Sequence, residues 1–378
     1  MIRLITASLL FLLSLLSILH APTSGLWKLA IAVTEFPFVF LISALLCFLF
    51  IPASAYRTSS LVVFILTSIL FSSPIFRAAN VSRDLRAQLD EAFGIGHDAQ
   101  SPIGFFRLFK IHFSAKKGYR SMTYFNNGGK ELKLDFYPSL SSQKSPVVIV
   151  IHGGSWSSGT SQQLPELNEA LAARGFHVAS INYRLAPAAL FPAPLEDLKA
   201  ALAFLKWQAQ KLHIDTSCFV LLGRSAGGQI ALTAAYTFKD PDIRGVIAYY
   251  APADMVWGYS LPCNPLILDS RKVMEDYLGG TYAQATTNFH NSSPLEWVSP
   301  GSPPTLLIHG ARDEMVAWEH SRRLDEKLQQ NHVPHYLLTL PWATHGCDFN
   351  INGPSGQLSS YAVFRFLERV AGTGDKHS

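Results

Sequence analysis

Five apolar residues, Cys218-Phe219-Val220-Leu221-Leu222, run straight into Gly223-Arg224-Ser225-Ala226-Gly227-Gly228, and a helix-like stretch, Ala226–Tyr236, follows without a gap. A short continuous apolar run of this kind suits a strand buried on both faces. Glycines on either side of Ser225 let the chain turn sharply between strand and helix, which lifts the serine hydroxyl above the sheet. The same turn puts the Ala226 N–H at a helix N-terminus, where the helix dipole favours negative charge. A dinucleotide-binding turn would need G-x-G-x-x-G, which this segment lacks. The pattern predicts an α/β arrangement with Ser225 as a candidate nucleophile.

The rest of the chain from Tyr119 repeats the alternation. Strands are expected at 121–125, 132–137, 147–151, 177–181, 219–222, 245–249, 305–308 and 336–340, with a hairpin turn at 126–130 marked by Asn127-Gly128. Helices are expected at 164–174, 194–210, 226–236, 318–330 and 357–370. Strands alternating with helices over this distance imply a mostly parallel sheet flanked by helices.

A serine nucleophile needs a base, and the base needs an orienting carboxylate. Thr305–Ile308 leads into His309-Gly310-Ala311-Arg312-Asp313-Glu314, and Tyr336–Leu340 leads into Pro341-Trp342-Ala343-Thr344-His345-Gly346. Both place a loop acid or histidine at the carboxyl end of a strand, where open α/β sheets bind ligands. Asp313 is preferred to Glu314 because it stands nearer its strand. His345 is preferred to His320, His332 and His335, which read as surface or packing residues. Val147–Ile151 runs into His152-Gly153-Gly154-Ser155-Trp156, whose glycines let backbone N–H groups approach an oxyanion.

The motifs HGGSW, NYRLAP (182–187), FPAPLEDLKAAL (191–202), GRSAGG and HGARDEMV resemble the α/β-hydrolase superfamily. They are most similar to the hormone-sensitive-lipase-like and feruloyl-esterase-like carboxylesterases. The resemblance covers about residues 119–370. It implies a central, mostly parallel sheet, no cofactor, no metal, and hydrolysis of small-molecule or lipid-derived carboxylic esters. It implies Ser225 as nucleophile, Asp313 as orienting acid, His345 as base, and Gly153, Gly154 and Ala226 as oxyanion donors. His152 would support its loop, and Arg184 with Asp197 would brace the sheet edge. Two positions depart from the family pattern: Ser155 replaces a third glycine, and Arg224 stands where an aspartate is usual. Amidase, peptidase or prenylcysteine methylesterase chemistry on the same fold is an alternative, and a non-catalytic binding protein is a second.

The amino-terminal part differs in kind. Overall the chain is 48% hydrophobic and 15% charged, with a net charge of +4, which excludes a disordered chain and offers no basic excess for nucleic acid. Its first 80 residues hold only Arg3, Lys28, Glu35, Arg57 and Arg77 as charges. Apolar runs at 4–19, 29–51 and 61–76 predict about three transmembrane helices and an integral membrane protein in contact with the bilayer. The first run also has the shape of a signal peptide, but His20-Ala21-Pro22 is a poor cleavage site. Loop charge and the short amino-terminal tail favour opposite sides for the large domain. The expected organisation is an anchor at 1–80, a juxtamembrane or interfacial linker at 81–118, and a catalytic domain at 119–371; within the linker the aromatic stretch 103–113 suits either the membrane interface or a helix docked on the domain's own core. The long, aromatic-rich segment 251–298 either caps the acyl pocket, as the superfamily resemblance implies, or packs against the sheet. The four cysteines include no CxxC pair, so neither a zinc site nor a disulfide scaffold is indicated.

Overall fold

A computed structural model of the chain describes residues 2–50, 57–96, 100–110, 118–127 and 130–372. Eight strands form one sheet in the order β1-β2-β4-β3-β5-β6-β7-β8. They are β1 (Arg120–Asn127), β2 (Lys130–Tyr137), β3 (Ser145–Ile151), β4 (His177–Ile181), β5 (Ile214–Arg224), β6 (Ile243–Tyr249), β7 (Thr305–Gly310) and β8 (His335–Leu340). β1 and β2 pair antiparallel, and β2 pairs antiparallel with β4. Every other pairing is parallel. This is the α/β-hydrolase fold with a mostly parallel sheet. The parallel strands β3 and β4 are buried along their whole length; the β-branched, apolar run of β3 suits such burial, whereas β4 also buries the polar His177 and Ser180. The tip of the β1–β2 hairpin, 128–129, lies outside the described residues.

Among the described residues, thirteen α-helices accompany the sheet. Four precede it: α1 (Ile2–Ser14), α2 (Ser24–Glu35), α3 (Pro37–Phe50) and α4 (Arg57–Phe93). Within the hydrolase part come α5 (Pro165–Ala173), α6 (Ala193–Trp207), the short α7 (Ala209–Leu212) and α8 (Ala226–Thr237). The segment 251–298 holds α9 (Met255–Ser260), α10 (Ser270–Leu278) and α11 (Tyr282–Asn291). α12 (Glu319–Gln330) and α13 (Pro354–Ala371) complete the set. The three helices of the 251–298 segment are short and were hidden from periodicity by their length.

Three separate membrane spans are not what the amino-terminal runs form. The run at 29–51 is split into α2 and α3, which meet at 89°. Pro37 explains the break: it lacks an N–H, and its ring excludes a helical residue before it. The run at 4–19 becomes α1 and a single 3-10 turn, Leu15–Ser17. Among the described residues only α4, with 37 residues, is by itself long and apolar enough to cross a bilayer. The bent pair α2–α3 passes the same test only if counted together.

The position 80/81, expected to divide anchor from linker, falls inside α4. The two halves of that helix meet different surroundings. Leu61, Val62, Ile65, Leu66 and Ile69 are exposed, whereas Ala78, Leu85, Leu89 and Phe93 are buried in one of the two cores flanking the sheet. Phe93 packs edge-on against Phe366 of α13 at 5.0 Å. The aromatic stretch 103–113 forms a 3-10 turn at Phe105–Phe109, with its last residues outside the described set. It bridges both parts: Phe38 of α3 packs on Phe105 and Phe109, while the Gly104 N–H donates to Gln357 Oε1 at 2.8 Å.

The second half of α4 therefore belongs to the hydrolase core. Leu89→Ala is expected to lower stability by about 2–5 kcal/mol, the usual cost of emptying a buried leucine site. Leu66→Ala, on the exposed half, should fall within about 0.5 kcal/mol of wild type. Denaturation of the detergent-solubilised protein checks the contrast, and equal effects would place both halves of α4 in one environment.

Candidate active site

The site is assembled where parallel strands end. β5 runs into the turn at Ser225, which caps the N-terminus of α8 with φ 52° and ψ −120°. Left-handed φ at a non-glycine residue is strained and needs a surrounding structure that enforces it. Here the enforcement is close contact. A Cβ at Gly223 would lie 2.1 Å from the Gly227 carbonyl oxygen, and one at Gly227 would lie 2.2 Å from the Ile151 carbonyl oxygen. Both positions thus admit only glycine, and the turn is pressed against the end of β3.

β8 ends just before the loop that carries His345. Its Nε2 is 3.0 Å from Ser225 Oγ, and its Nδ1 is 2.7 Å from Asp313 Oδ2. Asp313 follows β7. Its Oδ1 accepts from the N–H groups of Met315 at 2.9 Å and Val316 at 2.8 Å. Burial pushes the Asp313 carboxyl up, but the charge and hydrogen bonds of His345 and His309 outweigh it and hold the group well below the ordinary carboxylate range. An ionised carboxylate there fixes the Nδ1–H tautomer of His345 and leaves Nε2 free to accept the serine proton.

Glu314, the other acid in this loop, points elsewhere. It accepts from the Ala21 N–H at 2.8 Å and from the Thr344 hydroxyl. It holds the loops of Asp313 and His345 to the amino-terminal segment and does not reach the His345 ring.

The loop after β3 lies against the turn at Ser225. A Cβ on Gly153 would meet the Arg224 carbonyl oxygen at 3.0 Å and Ser225 Cβ at 3.3 Å. The Gly153 N–H donates to Gln163 Oε1 at 2.8 Å. Of the three expected oxyanion donors, Gly153 is therefore already engaged, and Gly154 and Ala226 remain. Gly154 has φ 116°, and a Cβ there would lie 2.3 Å from the Ser158 carbonyl oxygen. His152 holds this loop: its Nδ1 is 2.7 Å from the Gly153 carbonyl oxygen and its ring stacks on Tyr183. Burial pushes the His152 imidazole down, so it stays neutral. Arg184 and Asp197 pair through Nε and Oδ1 at 2.8 Å, away from Ser225, and brace the chain after β4.

Several further side chains here were given no site role by the sequence. His309 lies 3.3 Å from Asp313 Oδ2 through Nε2 and accepts or donates to Ser321 Oγ at 2.7 Å. His320, read as surface or packing, is buried and lines the cavity. Its Nδ1 faces the Ala253 and Asp254 N–H groups, and burial pushes its pKa down to about 3. Arg224 donates to Asp348 Oδ2 at 2.5 Å, and Tyr250 donates to Asp348 Oδ1 at 2.6 Å. The Tyr250 ring lies 4.4 Å from that of His345. None of these contacts has a local sequence signature.

A cavity of about 570 Å³ opens over Ser225. The segment 251–298 supplies Leu261, Leu268 and Met274 to its wall, and α2 supplies Trp27 and Ile31. The segment also packs down on the fold, with Tyr277 stacked on Trp156 at 4.6 Å. Among the described residues no cluster of histidine, cysteine and acidic side chains could hold a metal ion.

Residues 134–328 match the family described as BD-FAE. The chain is 30% identical over 251 residues to the esterase LipC of Mycobacterium tuberculosis, covering 61% of this chain and 59% of that protein. It is 29% identical over 248 residues to the hormone-sensitive lipase of Bos taurus, covering 62% and 32%. The chain thus spans less than two thirds of the length of these relatives. A solved bacterial heroin esterase superposes with a TM-score of 0.59 at 23% identity, over 76% of this chain and 92% of that one, a likeness of fold.

Asp313→Asn is expected to lower kcat by about 10⁴, because an amide at this position selects the wrong imidazole tautomer. Glu314→Gln should cost about tenfold at most. Steady-state turnover of a nitrophenyl ester measures both, and the reverse ranking would assign the orienting role to Glu314.

Proposed function

The chain belongs to the BD-FAE family, and on that premise we propose that it is a membrane-associated serine carboxylesterase working through an acyl-enzyme. The observation that carries this reading is the in-line relay from Asp313 Oδ2 to His345 to Ser225 Oγ, at 2.7 and 3.0 Å. Curated relatives that are named esterases and lipases support it.

Each residue has a definite task. His345 Nε2 takes the Ser225 proton as Oγ attacks the ester carbonyl carbon, and the carbonyl electrons move to oxygen. The Gly154 and Ala226 N–H groups hold that oxyanion; one such donor is typically worth about 3–4 kcal/mol. His345 then gives its proton to the leaving alcohol, and the acyl group stays on Ser225. Water, deprotonated by the same Nε2, attacks the acyl-enzyme and frees the acid and the serine. Asp313 stabilises the imidazolium that forms twice in the cycle.

The membrane reading rests on the first helices. α1, α3 and the first half of α4 pack on one another, with the Arg3 guanidinium over the Phe48 ring at 3.9 Å and Phe48 stacked on Phe64. Their outer faces expose Ile5, Leu9, Val39, Ile42, Leu61 and Ile65. An exposed apolar surface of this extent is rare on a soluble monomer. α4 would cross the bilayer, and the shorter α1 and α3 would accompany it. Such a setting favours apolar esters, and the apolar cavity wall supports that preference.

The test uses membranes washed with carbonate at high pH, which strips peripheral proteins. Nitrophenyl esters of increasing acyl length are assayed on them beside a matching anilide. The expected result is that ester turnover stays with the washed membranes, is lost in Ser225→Ala, and greatly exceeds anilide turnover. Release into the supernatant would refute the membrane seat. Preferred anilide turnover would point to an amidase, and an inert protein to a binding role.

A further inference from the structure

The amino-terminal helices do more than seat the protein, because α2 lies directly on the loop that carries His345. The Trp27 Nε1–H donates to the His345 carbonyl oxygen at 2.9 Å. Next along the chain, Gly346 adopts φ 80°, and a Cβ there would lie 3.3 Å from Ile31 Cδ1 and 3.9 Å from the Trp27 ring. Trp27 and Ile31 stand one turn apart on the same face of α2, and both line the cavity over Ser225.

The rest of α2 fastens the same loop further on. The Glu35 carboxyl group, its pKa pushed up to about 8 by burial, accepts from the Ser355 hydroxyl at 2.7 Å and the Ser355 N–H at 3.1 Å. Asn350 Nδ2 donates to the Glu35 carbonyl oxygen at 2.8 Å. Before α2, the Ala21 N–H reaches Glu314, whose carboxylate also holds Thr344, the residue before the histidine. The chain from the His345 loop to the first turn of α13 is thus gripped directly at residues 345, 350 and 355 by a segment more than 300 residues away in sequence, and at 344 through Glu314. His345 has its side chain aligned from one side by Asp313 and its backbone held from the other by Trp27.

We propose that Trp27 is a positioning residue for His345 and, with Ile31, a specificity-determining wall of the ester cavity, so that a helix outside the family match completes the active site. The inference rests on the serine-hydrolase reading above. A carbonyl held by an indole N–H fixes the peptide plane at His345, and the plane sets where the imidazole can point. Misplacing a base by a fraction of an ångström lowers turnover without a comparable effect on ground-state binding.

Trp27→Phe keeps an aromatic wall and removes only the donor. The full-length protein in detergent is titrated with a fluorescent organophosphonate, and turnover of a butyrate ester is expressed per titrated serine. The expected result is a fall in kcat of about 3- to 10-fold, the scale of one hydrogen bond, with KM within twofold and a parallel fall in the rate of phosphonate labelling. Trp27→Leu, which also thins the wall, is expected to shift the preferred acyl chain to longer esters. A variant that only misfolds would lower the labelled fraction and leave kcat per labelled serine unchanged, and that outcome would overturn the proposal. Wild-type protein that neither labels nor turns over ester would instead sink the hydrolase reading itself.

Discussion

The active site depends on a close approach of backbones at the turn between β5 and α8. Ser225 is held in a conformation that a free chain avoids, and it is held there because Gly223 and Gly227 pack against each other and against the end of β3 with no room for a side chain. This contact brings the loop after β3 against Ser225, aims Ser225 Oγ toward the carboxyl ends of β7 and β8, and puts the first amide of α8 beside it. The order of the parallel strands, β3-β5-β6-β7-β8, then sets which loops can reach the serine. Asp313 and His345 arrive from the two strands at the far edge, and the 152–156 loop from the neighbour on the other side.

A buried ion pair ties this turn to the histidine loop. Arg224 and Asp348 are both nearly inaccessible, with 2% and 9% exposure. Burying two charges is expensive, and such a pair is weak evidence for stability by itself. Its geometric effect is clearer. Arg224 precedes Ser225, Asp348 follows His345 by three residues, and Tyr250 just past β6 donates to the same carboxylate while its ring lies beside His345. Removing Asp348 alone would strand a buried guanidinium. The pair therefore locks the spacing of the turn and the histidine loop.

The sheet and the site residues were legible because their signals are local. Val147–Ile151 and Cys218–Leu222 are apolar on both faces, so they read as central strands, and all eight expected strands are present. Ser225, Asp313 and His345 each sit within five residues of the end of a strand, and the fold brings all three within hydrogen-bonding reach. The 152–156 loop was legible as a candidate oxyanion loop, but the engagement of Gly153 by Gln163 was not, because a glutamine ten residues on carries no pattern. The amino-terminal segment was the hardest to read. An apolar helix facing lipid and one facing a protein core look alike by composition. The sequence did hold two clues in α2, a lone Glu35 and the Phe36-Pro37 step, and the structure uses both: the carboxyl group caps Ser355, and the proline turns the chain by 89°.

The central claim is that Ser225 carries the acyl group between the two halves of the reaction. Rapid acid quench of the full-length protein during turnover of a nitrophenyl butyrate, followed by mass spectrometry of its peptides, tests this directly. The account predicts a butyryl group on the peptide containing Ser225 at that residue, formed with the burst of nitrophenol and lost at the steady-state rate. Continued turnover with no acyl group on Ser225, or with the group on another side chain, would contradict it.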